Sequence, residues 1–479
     1  MQQVQNAFDR YKQIALDSLR PRPQSAYQGV VRLVHDSTRL IRESVAALED
    51  TEEFKALAIA TRSAFHPRPS RSDHSLWVNS AGNFFRRSGF YSNAAAGKGM
   101  AENVSFTQYA SAFGATERNV TYLAPIEHVE FAKAILHLGS FQIRRFTSDE
   151  LAKLLEVDIN RLFYQWALTD VGVLDDYWYV TLKKTIERKD PGHIPINLAD
   201  IDKVAPTFAR FPELSDALLP LVCFPWQADL CIPFLIVVDE DILRSPRSRP
   251  AVDQLDREPV FDPATGEEMD TDRPMIWTSL DKEETSACEV TVRSVAEGIQ
   301  QLEPCAAAWQ FFDRAGRYLL KGFFAEGFEQ LLWHITTVDA LLGDDSPGAA
   351  KRLARRVAAI FGTTRTGENV IRERFRELYD FRSRFVHGAA IEKQALTNHL
   401  REARETARAL LVWFLAFLTH SQDVVRREGL QVPPRKVLLQ MIDLDSKAKS
   451  DLQTALKITE TLPEGFPVVP SWLANHRVE

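Results

Sequence analysis

At 479 residues the chain is too long for one ordinary domain, so two or three are expected. An apolar share of 45% beside 26% charged residues excludes global disorder. A net charge of -7 excludes nucleic-acid binding through the overall field and leaves only local basic patches for that role. The four cysteines, Cys223, Cys231, Cys288 and Cys305, form no C-x-x-C pair and have no zinc-ligand spacing, so buried thiols of a reducing cytoplasm are expected. The start, MQQVQNAFDRYKQ, is too polar for a signal peptide. The most apolar run, ALLVWFLAFL (409–418), is about half of what a bilayer needs and reads as a buried helix. The expectation is a cytoplasmic protein without a membrane segment.

The first region, 1–118, reads as mainly helical. In VVRLVHDSTRLIRESVAAL the residues Val30, Leu33, Val34, Leu40, Ile41 and Val45 recur at roughly helical spacing. HPRPSRSD (66–73) breaks the pattern with two prolines, and NAAAGKGMAEN (93–103) reads as a loop. Its Gly97-Lys98-Gly99 is not a phosphate-binding loop, because the G-x-x-x-x-G-K-[ST] pattern is absent.

From 119 to 300 an α+β texture is expected. TYLAPIEHVEF, YWYVTL and CIPFLIVV are short and rich in β-branched and aromatic residues, which suits strands. Between them FTSDELAKLLEVDINRLF (146–163) offers Thr147 and Glu150 as a capping box, with Leu151, Leu154 and Leu155 on one helical face. It faintly resembles a helix-turn-helix, but simple packing is the stronger reading for a short amphipathic helix. Residues 240–286 are polar, acidic and proline-bearing, and read as a linker or long loop.

From 301 to 425 an antiparallel helical bundle is expected. FEQLLWHITTVDALLG places Phe328, Leu331, Leu332, Ile335, Val338 and Leu342 on one stripe, with Gly343 as a stop. KRLARRVAAIFG and NVIRERFRELYDFRSRFVHG also end in glycine. A long fourth helix carries Leu396, Leu400, Ala403, Ala407, Leu410, Phe414 and Phe417 every three or four residues. The segment 426–479 reads as an appendage.

Within the bundle, FRSRFVHG (381–388) sets Arg382 five residues before His387. The spacing alone is weak: RKDPGH sets Arg188 five before His193, across a Pro-Gly pair that no continuous helix accommodates. Context separates the two. From 351 to 384 ten basic residues face four acidic ones, a local +6 that leaves -13 for the rest of the chain. Such a patch suits a polyanion, and Lys351, Arg352, Arg355, Arg372 and Arg376 are its candidate RNA contacts. On one helix Arg372 and Arg376, like Glu373 and Glu377, are like-charged neighbours rather than stabilising pairs.

Cleaving RNA without a metal needs a base for the 2′-OH proton, an acid for the leaving 5′-oxygen and a cation for the phosphorane. Histidine suits the proton transfers and arginine the charge. Residues five apart on an ideal helix are rotated by about 140°, so one helix does not aim both at one atom. Two chains across a two-fold axis, or distortion near Gly388, can bring them together. His334 and His399 read as packing or surface residues, and His420 as a helix-end cation.

LYDFRSRFVHG resembles the R-x(4–6)-H motif of HEPN-domain ribonucleases, most closely the ApeA-like HEPN group: Tyr379, then Arg382-Ser383, then Val386-His387-Gly388. The stretch 311–343 resembles that family's first long helices, with Asp339 where glutamate is usual. The resemblance covers about residues 303–425. It implies a helical bundle that dimerises to form a composite, metal-independent RNase site. Arg382 and His387 would be its catalytic pair, with Ser383, Arg384 and Tyr379 in support. It further implies RNA and a second copy of the chain as partners, no cofactor and no metal, a role in antiviral defence or as a toxin, and residues 1–300 as sensor or restraint. A non-catalytic module that binds RNA or nucleotide, or that only dimerises, is the alternative.

Overall fold

The computed structural model describes residues 1–19, 43–65, 74–96, 103–127, 129–155, 177–187, 214–226, 234–240, 247–250, 278–302, 309–325, 327–344, 348–362, 364–388, 393–428, 434–444 and 446–455, with a few single residues between them. Several expectations lie outside these residues: most of the 30–48 helix, the 66–73 break, the second half of 146–163, Arg188 and His193, and Cys231 and Cys305. The fold is mostly helical, with a small antiparallel sheet in the middle of the chain.

Helices α1 (Gln2–Leu19), α2 (Glu52–Phe65), α3 (His74–Arg87), α4 (Phe90–Ala95) and α5 (Phe106–Gly114) enclose an aromatic core of their own. Phe8, Tyr11, Phe54, Trp77, Phe85 and Tyr109 are all buried in it. Its polar centre is a chain of hydrogen bonds: the Tyr11 and Tyr91 hydroxyls meet at 2.6 Å, and Tyr91 donates to Glu49 at 3.3 Å. Glu49 also pairs with Arg86, yet desolvation still holds its carboxyl above the usual range.

The sheet is built from β1 (Glu117–Ile126), β3 (Ile135–His137), β4 (Phe141–Arg145), β5 (Trp178–Glu187), β6 (Phe234–Asp239) and β7 (Arg247–Pro250), in the order β3-β4-β5-β1-β6-β7. A separate parallel pair joins β2 (Val129–Phe131) to β8 (Thr278–Leu280). Alternation sorts the side chains. Val120, Tyr122, Ala124 and Ile126 of β1, with Trp178, Val180 and Leu182 of β5, face the large core shared with the C-terminal helices. Leu123, Tyr179, Ile236 and Val238 face the other way, onto α6 (Ser148–Leu155). The expected capping box starts α6: Glu150 N–H donates to Thr147 Oγ1 at 3.2 Å, and Thr147 N–H donates back to Glu150 at 3.0 Å.

The expected loop at 240–286 is corrected in three places. Leu243 is buried in the N-terminal aromatic core, and its carbonyl accepts from Asn83 at 3.0 Å. Arg247–Pro250 pairs with β6 as a sheet edge, a place where proline is tolerated. Residues 278–280 form β8, and α8 (Lys282–Leu302) begins at a capping box in which Asp281 Oδ1 accepts from the backbone N–H of Glu284 at 2.9 Å.

After α7 (Ser215–Val222), the C-terminal helices are α9 (Gln310–Phe324), α10 (Gly327–Leu342), α11 (Ala349–Phe361), α12 (Arg365–Val386), α13 (Lys393–Glu428), α14 (Arg435–Ile442) and α15 (Ser446–Ala455). Helix α13 has 36 residues, about 54 Å of spine, and its 409–418 stretch is buried throughout. Helices α8, α9, α10 and α12 pack on it. One continuous core runs from Val120 to Ile458, across the boundary expected at 300, and Leu438, Leu439 and Ile442 of the expected appendage belong to it. Buried Arg408 of α13 ties the two parts by donating to the Phe224 carbonyl at 2.5 Å. Among the described residues no helix is long and apolar enough to cross a membrane.

Candidate active site at the end of a bundle helix

Helix α12 carries Arg382, and His387 is the residue that caps its C-terminal end. Thr364 caps its start, accepting from Gly367 N–H at 3.1 Å. Ile371, Phe375, Leu378 and Phe381 recur three or four apart and form the buried face. The helix ends where His387 N–H donates to Ser383 at 3.2 Å and Gly388 N–H donates to Phe385 at 2.8 Å. Gly388 sits at φ +85°, a backbone state that side chains disfavour, so the glycine sets where the helix stops.

Burial then separates the residues of the motif. Arg382 is half-buried against Tyr379, its guanidinium carbon 5.9 Å from the ring centre. Its buried Nε has no hydrogen-bond partner among the described residues. Its charge reaches Asp339 of α10, where desolvation raises the carboxyl while Arg435 and Arg382 pull it down. Asp339 lines a cleft of about 260 Å³ with Arg314, Tyr318, Thr336, Asp344 and Arg435. His387 is exposed at the helix end, beside exposed Val386 and Phe385, whose ring stacks on Phe328. Ser383 is half-buried and Arg384 exposed. On an ideal helix Arg382 and His387 are rotated by about 140° and face apart.

The basic window divides in two. Arg356 is buried and bridges Asp344 and Asp443 while donating to the Leu342 carbonyl at 2.5 Å. Two expected RNA contacts belong to the same cluster: Arg352 pairs with Asp344 at 2.9 Å, and Arg355 with Asp443 at 2.7 Å. Arg356 and Arg355 hold the Asp443 carboxyl below its usual range against desolvation. Lys351 and Arg376 are exposed, and Arg372 is half-buried. Helix α12 also contains a stabilising pair that the like-charge reading passed over, Arg374 with Glu377 at 2.9 Å.

His334 of α10 is fully buried in the core, and among the described residues neither ring nitrogen is bonded. Desolvation and the nearby Arg404 and Arg408 push its pKa far below the usual histidine value. His399, read from sequence as packing or surface, has a more defined setting. Its Nδ1 lies 3.2 Å from Glu402 Oε2, and the other oxygen of that buried carboxylate takes Arg374 Nη2 at 2.6 Å and Nε at 3.2 Å. The signal was the i,i+3 spacing of His399 and Glu402, which puts both on one helix face. Cys223 and Cys288 are free and buried, and burial pushes the Cys223 thiol up to about 12. Among the described residues no three His, Cys, Asp or Glu side chains group as a metal site. Compared with known protein families, with curated proteins and with solved structures, the chain matches none.

Proposed function

We propose that the chain is a metal-independent endoribonuclease of HEPN type, cutting RNA by attack of the 2′-OH on the adjacent phosphorus. The observation that carries this reading is the end of α12. There a solvent-exposed imidazole, His387, is set by a left-handed glycine, one and a half turns beyond an arginine whose buried Nε lacks a partner. Arginine offers a planar fork to a phosphate, and histidine exchanges protons near neutrality. Because Arg382 and His387 of one helix diverge, two copies of the chain pool their groups around one phosphodiester, and exposed Phe385 and Val386 beside His387 supply apolar surface for that approach. Ser383, Arg384 and Tyr379 support the site, and Lys351, Arg372 and Arg376 guide the RNA. Residues 1–300 sense a trigger or restrain the site, and antiviral defence or a toxin's role is the setting the reading implies.

The purified chain is expected to cut RNA in EDTA, to leave 2′,3′-cyclic phosphate ends and to spare DNA, which lacks the 2′-OH. His387→Ala that cuts at the wild-type rate rejects the site. A strict monomer with RNA present rejects the composite arrangement. A non-catalytic module that binds RNA or nucleotide is the second reading, favoured by the polar cleft at Asp339. Binding without cleavage would establish it.

A further inference from the structure

We infer that His399 is the general base of this site, a role that symmetry otherwise assigns to a second His387. The inference rests on the RNA-cleavage reading and changes only which group takes the 2′-OH proton.

The reaction needs one neutral and one protonated histidine at the same moment. Two His387 side chains related by a two-fold axis have identical surroundings until a substrate breaks the symmetry, so the fold itself gives neither of them a fixed role. His387 is exposed and has no side-chain partner among the described residues. His399 differs on every count. Glu402 is buried, with 6% of its side chain exposed, and Arg374 keeps it ionised by donating twice to Oε1. A carboxylate only accepts, so the remaining oxygen, Oε2, obliges His399 to carry its proton on Nδ1. When the ring is neutral, Nε2 is therefore a bare lone pair. When Nε2 takes a proton, the imidazolium lies against a fixed negative charge. A base oriented by a third group is the arrangement that nucleophile activation uses.

The position also fits. The His399 ring lies 4.3 Å from the Phe381 ring centre, and the exposed Arg384 guanidinium lies 5.9 Å from that same centre. The Phe381 ring thus has the imidazole of α13 and the Arg384 guanidinium of α12 both within 6 Å of its centre. Phe381 precedes His387 by six residues, about 9 Å along the helix axis and about 120° around it, so within one chain the two imidazoles face apart, and it is His399 of one copy that meets His387 of the other around one phosphodiester. The His399 side chain is 15% exposed, enough for one ring edge to reach solvent.

The step balances as written. His399 Nε2 takes the 2′-OH proton, and the 2′-oxygen forms a bond to phosphorus. The bond from phosphorus to the 5′-oxygen breaks, and that oxygen takes a proton from the His387 imidazolium. The products are a 2′,3′-cyclic phosphate and a 5′-hydroxyl, with Arg382 still the cation beside the phosphorane oxygens. Glu402 and Arg374 are positioning residues.

The test uses the full chain and two RNA substrates, one ordinary and one with sulfur replacing the bridging 5′-oxygen. A thiolate leaves without protonation, so the sulfur substrate removes the need for an acid and not for a base. His387→Ala is expected to lose about 10²- to 10⁴-fold on ordinary RNA and to recover on the sulfur substrate. His399→Gln, whose amide still donates to Glu402 and so preserves the packing, is expected to lose as much on both. His399→Gln that matches wild type on ordinary RNA, or that recovers with sulfur, overturns the inference and leaves the cleavage reading standing. Wild type that cuts neither substrate rejects the cleavage reading, and the base assignment falls with it. Independently of activity, ring-nitrogen NMR at alkaline pH should find His399 protonated at Nδ1, and the opposite tautomer overturns the assignment.

Discussion

On α11, Arg356 is buried between two carboxylates and a carbonyl, and Arg352 and Arg355 are tied to the same two carboxylates. At the end of α12, Arg382 has an orphaned Nε, Arg384 is exposed over a ring, and His387 stands in solvent. Both stretches belong to one basic window, and by composition they are alike. What separates them is the second partner. A buried guanidinium with satisfied donors holds elements together, because removing it takes away hydrogen bonds that join separate helices. A guanidinium with free donors keeps its charge available to a ligand.

The sharpest break of this contrast comes from two single changes. His387→Ala is expected to lower RNA cleavage by about 10²- to 10⁴-fold while moving stability by no more than about 0.5 kcal/mol, read by single-turnover kinetics and urea unfolding. Arg356→Ala should do the reverse. It removes the guanidinium that Asp344 and Asp443 share and the donor to the Leu342 carbonyl, while Arg352 and Arg355 stay on the two carboxylates, and should cost about 1–3 kcal/mol in the same unfolding experiment. If the two variants behave alike, the division of the window is wrong.

Acid sharpens the comparison from the core side. His334 stays neutral in the fold because burial and two arginines oppose its charge. Below about pH 6.5 the unfolded chain binds a proton there that the native chain does not, so stability falls as pH falls, by about 1.4 kcal/mol per pH unit from this group. Unfolding between pH 6.5 and 5 should show that slope, and His334→Leu should flatten it. Gly388→Ala is a smaller change, about 1–2 kcal/mol, from forcing a side chain into the left-handed region. It should also slow cleavage, because the helix end positions His387. Smallest is the salt response: Arg376→Ala should reduce the slope of log affinity for RNA against log salt by about 1, whereas Arg355→Ala, already paired with Asp443, should leave it nearly unchanged.

Much of the local structure was legible. The Thr147–Glu150 box, the α13 stripe and the glycine ends at Gly362 and Gly388 all appear where the pattern placed them. So do β1, β5 and β6. Some errors were of the same local kind: Asp281 and Glu284 spell a capping box inside the stretch read as linker, and the edge strand at 247–250 was hidden by its arginines and proline. Of the candidate site, the residue types and their helix were readable, and so was their divergence on one helix. Which arginines were already engaged was not.

By itself the sequence determined the features that act within a turn or two of helix: caps, stops, apolar stripes and the 140° between Arg382 and His387. Those depend on neighbours in the chain, and spacing reports them directly. Only the tertiary structure decided the electrostatic state of each group. Arg356 meets Asp443 from 87 residues away, and Arg374 of α12 reaches Glu402 of α13 across 28 residues. A charge is neutralised by whatever the fold brings within hydrogen-bond distance and by how much water is excluded there, and neither quantity is written in local order.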